Sequence, residues 1–335
     1  MPVKFVALGL DHRHIYGMTA NMLAVGAECL GYWTEGDPFP RTGFTERFPQ
    51  VKRFESLEHS LQSGADLALI ACKPMDRCAL AEAAMRCGMD VMVDKPGCIT
   101  HTQLDSLKRC VAETRRIWSV NFSERFEVPS VTRATELIAE GAIGRVVHTA
   151  GFGPHRLNKA TRPDWFFDRT QYGGILTDIA SHQIDQFLHF TNSTDAEVTH
   201  AFVANYANPK TPGLQDFGEV SLCSDNATGS IRVDWFTPEA LPTWGDGRLI
   251  ILGTDGYMEL RKYVDVASSD RTDQIILVNG TDCQRIDASN AELPYFSNLH
   301  NDVLNRTDTA MTQDHCFQVM DLALTAQELA ESRLS

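Results

Sequence analysis

Short apolar runs alternate with amphipathic stretches through the first third of the chain, and this alternation limits the fold more than any other feature. Residues 3–8, 29–33, 67–71, 91–93 and 117–121 are brief and mostly apolar, the mark of strands buried on both faces. Helical periodicity fills the gaps over about 15–25, 75–87 and 102–114. Such strand–helix–strand units build a doubly wound parallel sheet covered by helices on both sides. After Phe122 the texture changes. A helix over 131–140 and a strand over 146–152 lead to a helix carrying Asp178 and His182. Strands then follow one another at 219–223, 230–236, 248–252, 257–263 and 274–278. Gly-Asp, Asp-Gly and Asn-Gly pairs between these runs suit hairpin turns. A last helix covers Gln313–Glu331. The pattern predicts an N-terminal α/β domain over 1–122 and a mostly antiparallel α+β domain over 123–335, the boundary falling within 121–125. At 335 residues the chain exceeds one ordinary core.

Composition narrows the roles. A net charge of −14 argues against a nucleic-acid or anionic-membrane partner, since both need clustered Lys and Arg. No apolar run reaches the roughly 18 residues of a membrane span. The opening MPVKFVALGL enters a strand-like run at once and has no secretory leader pattern. Nine cysteines lie scattered without a CxxC, so neither a disulfide framework nor a zinc cluster is expected. These features predict a cytoplasmic protein with no metal site.

Three stretches carry chemistry. The first βα turn, where a doubly wound domain seats a pyrophosphate, reads Gly9-Leu10-Asp11-His12-Arg13-His14. Gly9 fits a G-x-G-x-x-G fingerprint, but Asp11 and His14 stand at the other two glycine positions, so a plain helix N-cap suits the segment equally. Asp11 would repel a pyrophosphate unless His12, Arg13 or His14 neutralised it. Glu35, after the second strand, is placed to accept hydrogen bonds from ribose hydroxyls and to repel a 2′-phosphate, with Asp37 in reserve. Lys95 follows an apolar strand, so it would stand at the ligand crevice and could share a proton with a substrate oxygen. Asp178 and His182, four residues apart, share one helix face. That spacing suits a general base with its orienting carboxylate and equally a surface i,i+4 pair.

Together these segments resemble the Gfo/Idh/MocA oxidoreductases, the glucose–fructose oxidoreductase and inositol dehydrogenase family. Val91 through Pro96 is similar to the family's "EKP" segment, with Asp94 where Glu is usual. Gly173-Gly174-x-x-x-Asp178-x-x-x-His182 is similar to its second-domain motif. Ala71-Cys72-Lys73-Pro74 with Gly88, Asn121 through Phe126, Glu140 through Gly144, and Gly253 through Gly256 follow in the family's order. The resemblance implies a Rossmann domain, a second domain with a large open sheet, and a nicotinamide cofactor, NAD or NADP. It also implies catalytic roles for Lys95, Asp178 and His182. Cys72, Lys73, Pro74, Asp94 and Lys95 would join the first turn and Glu35 in binding the cofactor.

A polyhydroxy substrate would meet His155, Arg156, Asn158, Trp165 and Trp244, polar and aromatic groups suited to hydroxyls and a sugar ring. Arg125, Lys95, Asp178 and His182 complete that set. The expected reaction is hydride transfer between the nicotinamide and a sugar, inositol or related polyol, with Lys95 and His182 converging on one substrate oxygen. A glycoside-processing enzyme using NAD transiently and a non-catalytic dinucleotide sensor are the alternatives. An open sheet with one bare face predicts a homodimer or homotetramer through the second domain.

Overall fold

Strands β1 (Lys4–Leu10), β3 (Leu67–Ala71) and β4 (Asp90–Asp94) are buried along nearly their whole length, as strands covered on both faces must be. With β2 (Glu28–Trp33) and β5 (Trp118–Asn121) they form a parallel sheet in the order β2-β1-β3-β4-β5. This is a computed structural model, and it describes residues 2–268 and 271–333. Residue 1 of the expected first domain, and residues 269–270 and 334–335 of the second, lie outside them.

Helices α1 (His14–Ala24), α4 (Arg77–Arg86) and α5 (His101–Thr114) fall close to the expected positions. Between α1 and α4 the chain adds α2 (Pro40–Arg47) and α3 (Leu57–Leu61), two short helices that the apolar pattern does not reveal. Each buries too few apolar side chains to print a helical period.

The second sheet runs through β6 (Val146–Pro154), β7 (Glu197–Ala204), β8 (Phe217–Cys223), β9 (Thr228–Asp234), β10 (Arg248–Gly253), β11 (Gly256–Arg261), β12 (Gln274–Asn279) and β13 (Cys283–Asp287). Its order is β13-β12-β11-β10-β6-β9-β8-β7. Neighbours are antiparallel except β6 and β9, so the sheet is mostly antiparallel as expected. Strands β7 and β13 extend it beyond the expected set. Three further helices precede its closing strands: α6 (Ser123–Phe126), α7 (Pro129–Ala139) and α8 (Arg169–Tyr172). Alternate residues of β9 point into a core shared with α9 (Ser181–Thr191), while α7 covers β11 and β12.

The expected single helix over Asp178 and His182 is in fact two structures. Leu176–Ala180 is a π-turn, and regular α-helix begins at Ser181. The Thr177 hydroxyl and the Asp178 N–H both donate to the Gly174 carbonyl.

Helices α10 (Pro294–Asn305) and α11 (Gln313–Glu331) close the chain, and α10 is a helix the pattern did not reveal. The described chain divides into two units. One holds Met1–Asn121, Thr170–Gly173 and Pro294–Met320; the other holds Phe122–Arg169, Gly174–Leu293 and Asp321–Ser335. The late segment joins the first unit through specific contacts. Gln313 bonds both the N–H and the carbonyl of Trp118, Phe317 stacks on its ring, and Arg306 pairs with Asp90. No helix among the described residues is long and apolar enough to cross a membrane.

Candidate functional site

Strand order reverses between β1 and β3, the switch point at which doubly wound sheets leave a crevice beyond their C-terminal strand ends. Gly9 occupies that point with φ +70°, and a Cβ on it would lie 2.4 Å from the Cys72 Cβ. Conformation and close approach both require glycine there. Beside it opens a cavity of about 540 Å³, lined among others by Gly9, Asp11, Trp33, Glu35, Cys72 and Lys73. Five of the sequence-predicted cofactor residues therefore share one cavity. Leu10 is instead sealed in the core, and His12, Arg13, His14 and Pro74 lie outside the lining. Burial raises the Asp11 carboxyl above its ordinary range, against the pull of Lys73 and Arg77.

Next to the cavity the first turn is tied to the end of β4. His12 Nδ1 lies 2.8 Å from Asp94 Oδ2, and His14 Nδ1 lies 2.7 Å from Asp94 Oδ1. Arg77 adds a third partner, its Nη2 2.9 Å from Asp94 Oδ2, and donates to the carbonyls of Cys72, Asp94 and Pro96. Burial opposes a charge on Asp94, but His12, His14 and Arg77 together hold its carboxyl well below the usual range. Burial likewise pushes His12 down to about 4, against the attraction of Asp94, so its ring is neutral near pH 7. Lys95 follows directly, nearly buried, and its bond to Pro96 is cis. The two imidazoles and the carboxylate lie close enough to hold a cation. The buried Arg77 guanidinium on the same oxygen makes a dication there unfavourable.

The second unit carries the other candidates. His182 is buried at the first turn of α9, edge-on to Phe122, and Asp178 is half-buried in the π-turn before it. π-Turns often occur at functional sites. Lys95 belongs to the first unit, and Asp178 and His182 to the second. Around α9 lies a buried polar network. Glu124 Oε2 accepts from Lys262 Nζ and Gln183 Nε2, each at 2.9 Å, and Lys262 also donates to Gln186 at 2.9 Å. Burial opposes the Glu124 charge, but Lys262 first, then His182 and His155, bring its carboxyl down to about 2. Arg125 grips Asp185 of α9 through two bonds of 2.7 and 2.6 Å.

His155 packs 4.4 Å from the Trp244 ring, which in turn lies 4.5 Å from Tyr263, so two predicted substrate residues share an aromatic wall. The Arg156 guanidinium donates to the carbonyls of Pro238 and Leu241, pinning the loop that carries Trp244. Asn158 is exposed in the left-handed region, and Trp165 is half-buried against Phe166. Sequence reasoning did not single out Arg77, Glu124 or Lys262. A buried Arg or Lys is recognisable only beside its carboxylate, and these partners lie 17 and 138 residues away.

Residues 40–122 match the model of the oxidoreductase family with an NAD-binding Rossmann fold, and residues 131–259 match the GFO/IDH/MocA C-terminal domain. The uncharacterized oxidoreductase YdgJ of Escherichia coli (strain K12) is 32% identical over 123 residues, 36% of this chain and 34% of the relative. The chain thus matches only about a third of that relative's length. A solved structure from Erwinia carotovora atroseptica SCRI1043, described as an oxidoreductase of no stated substrate, is 44% identical. It covers 98% of both chains with a TM-score of 0.95. Levoglucosan dehydrogenase in complex with NADH and levoglucosan superposes with a TM-score of 0.80 over 99% of this chain and 98% of that one. At 17% identity that likeness speaks for the fold alone.

Proposed function

The chain belongs to the Gfo/Idh/MocA oxidoreductases and carries their NAD-binding Rossmann domain, and from that premise we propose that it moves a hydride between NAD and a sugar, inositol or related polyol. The residues at the β1/β3 switch point suit the cofactor. Glu35 offers a carboxylate to the adenosine ribose, Trp33 and Leu80 offer apolar walls, and Lys73 offers a positive charge.

The observation that carries the reading is the placement of Lys95. Lys95 is nearly buried immediately after β4, at the C-terminal edge of the sheet beside whose first turn the cavity opens. Bound NAD would supply the acceptor for the hydride of a substrate alcohol, and His182 would take the hydroxyl proton, so that the alcohol becomes a carbonyl. Lys95 would be a second proton-handling group, and Asp178 would orient His182. In reduction the same groups return the proton. His155 and Trp244 bind the substrate's hydroxyls and ring face, with Arg125, Arg156, Asn158 and Trp165 supporting that pocket.

Fluorescence titration with NAD and NADP, then a screen of sugars and polyols with the preferred cofactor, tests this reading. Turnover on a polyol supports it. Tight NAD binding without turnover on any member of a broad panel would instead favour a dinucleotide sensor.

We further propose a cytoplasmic homodimer or homotetramer assembled through the eight-stranded sheet. Leu252 and Tyr257, paired across β10 and β11, are large apolar side chains left exposed. Light scattering of the wild type and of Leu252→Lys checks the assembly, the variant being expected to lower the mass.

A further inference from the structure

We propose that Arg77 is the positioning residue of Lys95: it grips the backbone on both sides of that lysine and ties it to a residue of the cofactor cavity. The proposal rests on the reading of Lys95 as a proton-handling group and concerns what holds that group in place.

Arg77 opens α4, and its side chain is 1% exposed. A buried guanidinium has to aim its donors at fixed acceptors. Here four bonds of 2.9 Å leave it. Nη1 donates to the carbonyls of Asp94 and Pro96, the residues immediately before and after Lys95. Nη2 donates to the Asp94 carboxylate, and Nε to the Cys72 carbonyl. Three of the four bonds run to main-chain carbonyls, so the guanidinium does more than balance the charge of Asp94.

Lys95 stands where the sheet stops supporting the chain. The pairing of β4 with its neighbours ends at Asp94, one residue short of the lysine. Beyond that point Arg77 carries the hold onward to Pro96. Through Cys72, which lines the cavity with Lys73, the same guanidinium joins the end of β3 to the end of β4. His12 and His14 tie the Asp94 carboxylate to the first turn as well. The lysine's neighbours are thereby fixed relative to the cavity. An arginine suits this task because its donors spread in a rigid plane, whereas a lysine offers three from a single point. Accurate placement matters for proton transfer, since a shift of about 1 Å can cost on the order of 10²-fold in rate.

Arg77→Lys tests this, because it keeps a charge beside Asp94 and loses the planar fork. With the polyol found by the substrate screen, its kcat should fall about 10–100-fold. KM and the Kd of NAD should stay within about threefold, as for a group that acts on the transition state alone. Placed in Lys95→Ala, the same substitution should cost less than about threefold, because the residue it positions is already gone. Equal losses in both backgrounds would overturn the proposal. So would a Kd of NAD weakened more than about tenfold, which would assign Arg77 to the cofactor. Hydrogen exchange of the free protein needs no substrate. In Arg77→Lys, peptides covering residues 94–99 should exchange at least about tenfold faster, while those of the eight-stranded sheet keep their rates. Unchanged exchange over 94–99 would also overturn the proposal. Arg77→Gln is held to the same criteria if Arg77→Lys does not fold. Absence of turnover on every polyol would strike the functional reading instead, and exchange would then decide the positioning role by itself.

Discussion

Lys262 and Glu124 meet at 2.9 Å with both side chains shut away from water, one from the end of β11 and the other from α6. A buried pair of this kind contributes little net stability over an apolar pair, yet removing one member strands a charge. Here the pair also fixes Gln183 and Gln186 on the helix that carries His182. The consequence for stability is direct. Lys262→Met should destabilise the second unit by about 3–5 kcal/mol, whereas Glu124→Leu combined with Lys262→Met should recover much of the loss. Urea unfolding followed by tryptophan fluorescence measures both; equal losses for the single and double variants would refute the account.

The same carboxylate sets an acid limit. Its folded pKa, about 2, lies below its ordinary value of 4.5. A depressed folded pKa contributes stability that is fully present above 4.5 and is lost as pH falls towards 2. Asp94, held below its ordinary range, acts in the same direction. Melting temperatures recorded from pH 6 to pH 2 should fall most steeply below about pH 4.5, and Glu124→Gln should flatten part of that slope.

Gly174 stands at φ +92°, and a Cβ there would lie 2.3 Å from the Gln327 side chain. Gln327 cannot swing away freely, because it bonds the Leu176 N–H, Gln215 and Glu331. Gly64 has φ +75° but open space around it. Gly174→Ala should therefore lower the melting temperature clearly more than Gly64→Ala, since only the first adds a clash to the roughly 1 kcal/mol or more of backbone strain.

Glu35 lines the cavity, where its carboxylate would repel a 2′-phosphate. NAD should bind more tightly than NADP. Glu35→Ala should weaken NAD about tenfold, the worth of one charge-assisted hydrogen bond, and narrow the gap to NADP. Fluorescence titration of both cofactors against both proteins decides it.

Lys95 and His182 are predicted to carry the proton transfer. Lys95→Ala and His182→Ala should each lower kcat/KM by about 10²–10⁴ while leaving NAD affinity within a few-fold. A loss below tenfold in steady-state assays would place the acid–base chemistry elsewhere.

Much of this was legible in the chain itself, and the physical reason differs by element. Strands β1, β3 and β4 announce themselves because burial on both faces leaves nothing but apolar residues. Helix α11 shows its full extent, nineteen residues being enough to print a period. Strand β13, by contrast, is a largely exposed edge with no apolar rhythm to read. The π-turn escaped because its wider hydrogen-bond spacing over one turn leaves no mark in composition. At the candidate site, Glu35 could be placed from its strand end, whereas Lys73 came only with the family resemblance. The clamp on Asp94 could not, because it joins residues from three separate turns of the chain.

The late segment 294–320 has a consequence for how the protein is made. Trp118, at the last strand of the parallel sheet, finds its ring partner and both of its backbone partners in residues synthesised almost two hundred positions later. During translation the nucleotide-binding unit stays unfinished, one flank bare, until the segment 294–320 has left the ribosome. Loop closure over that distance costs entropy before it returns any contact. The nascent chain thus holds an open sheet margin while the almost two hundred intervening residues are made, the interval in which chaperones would find it.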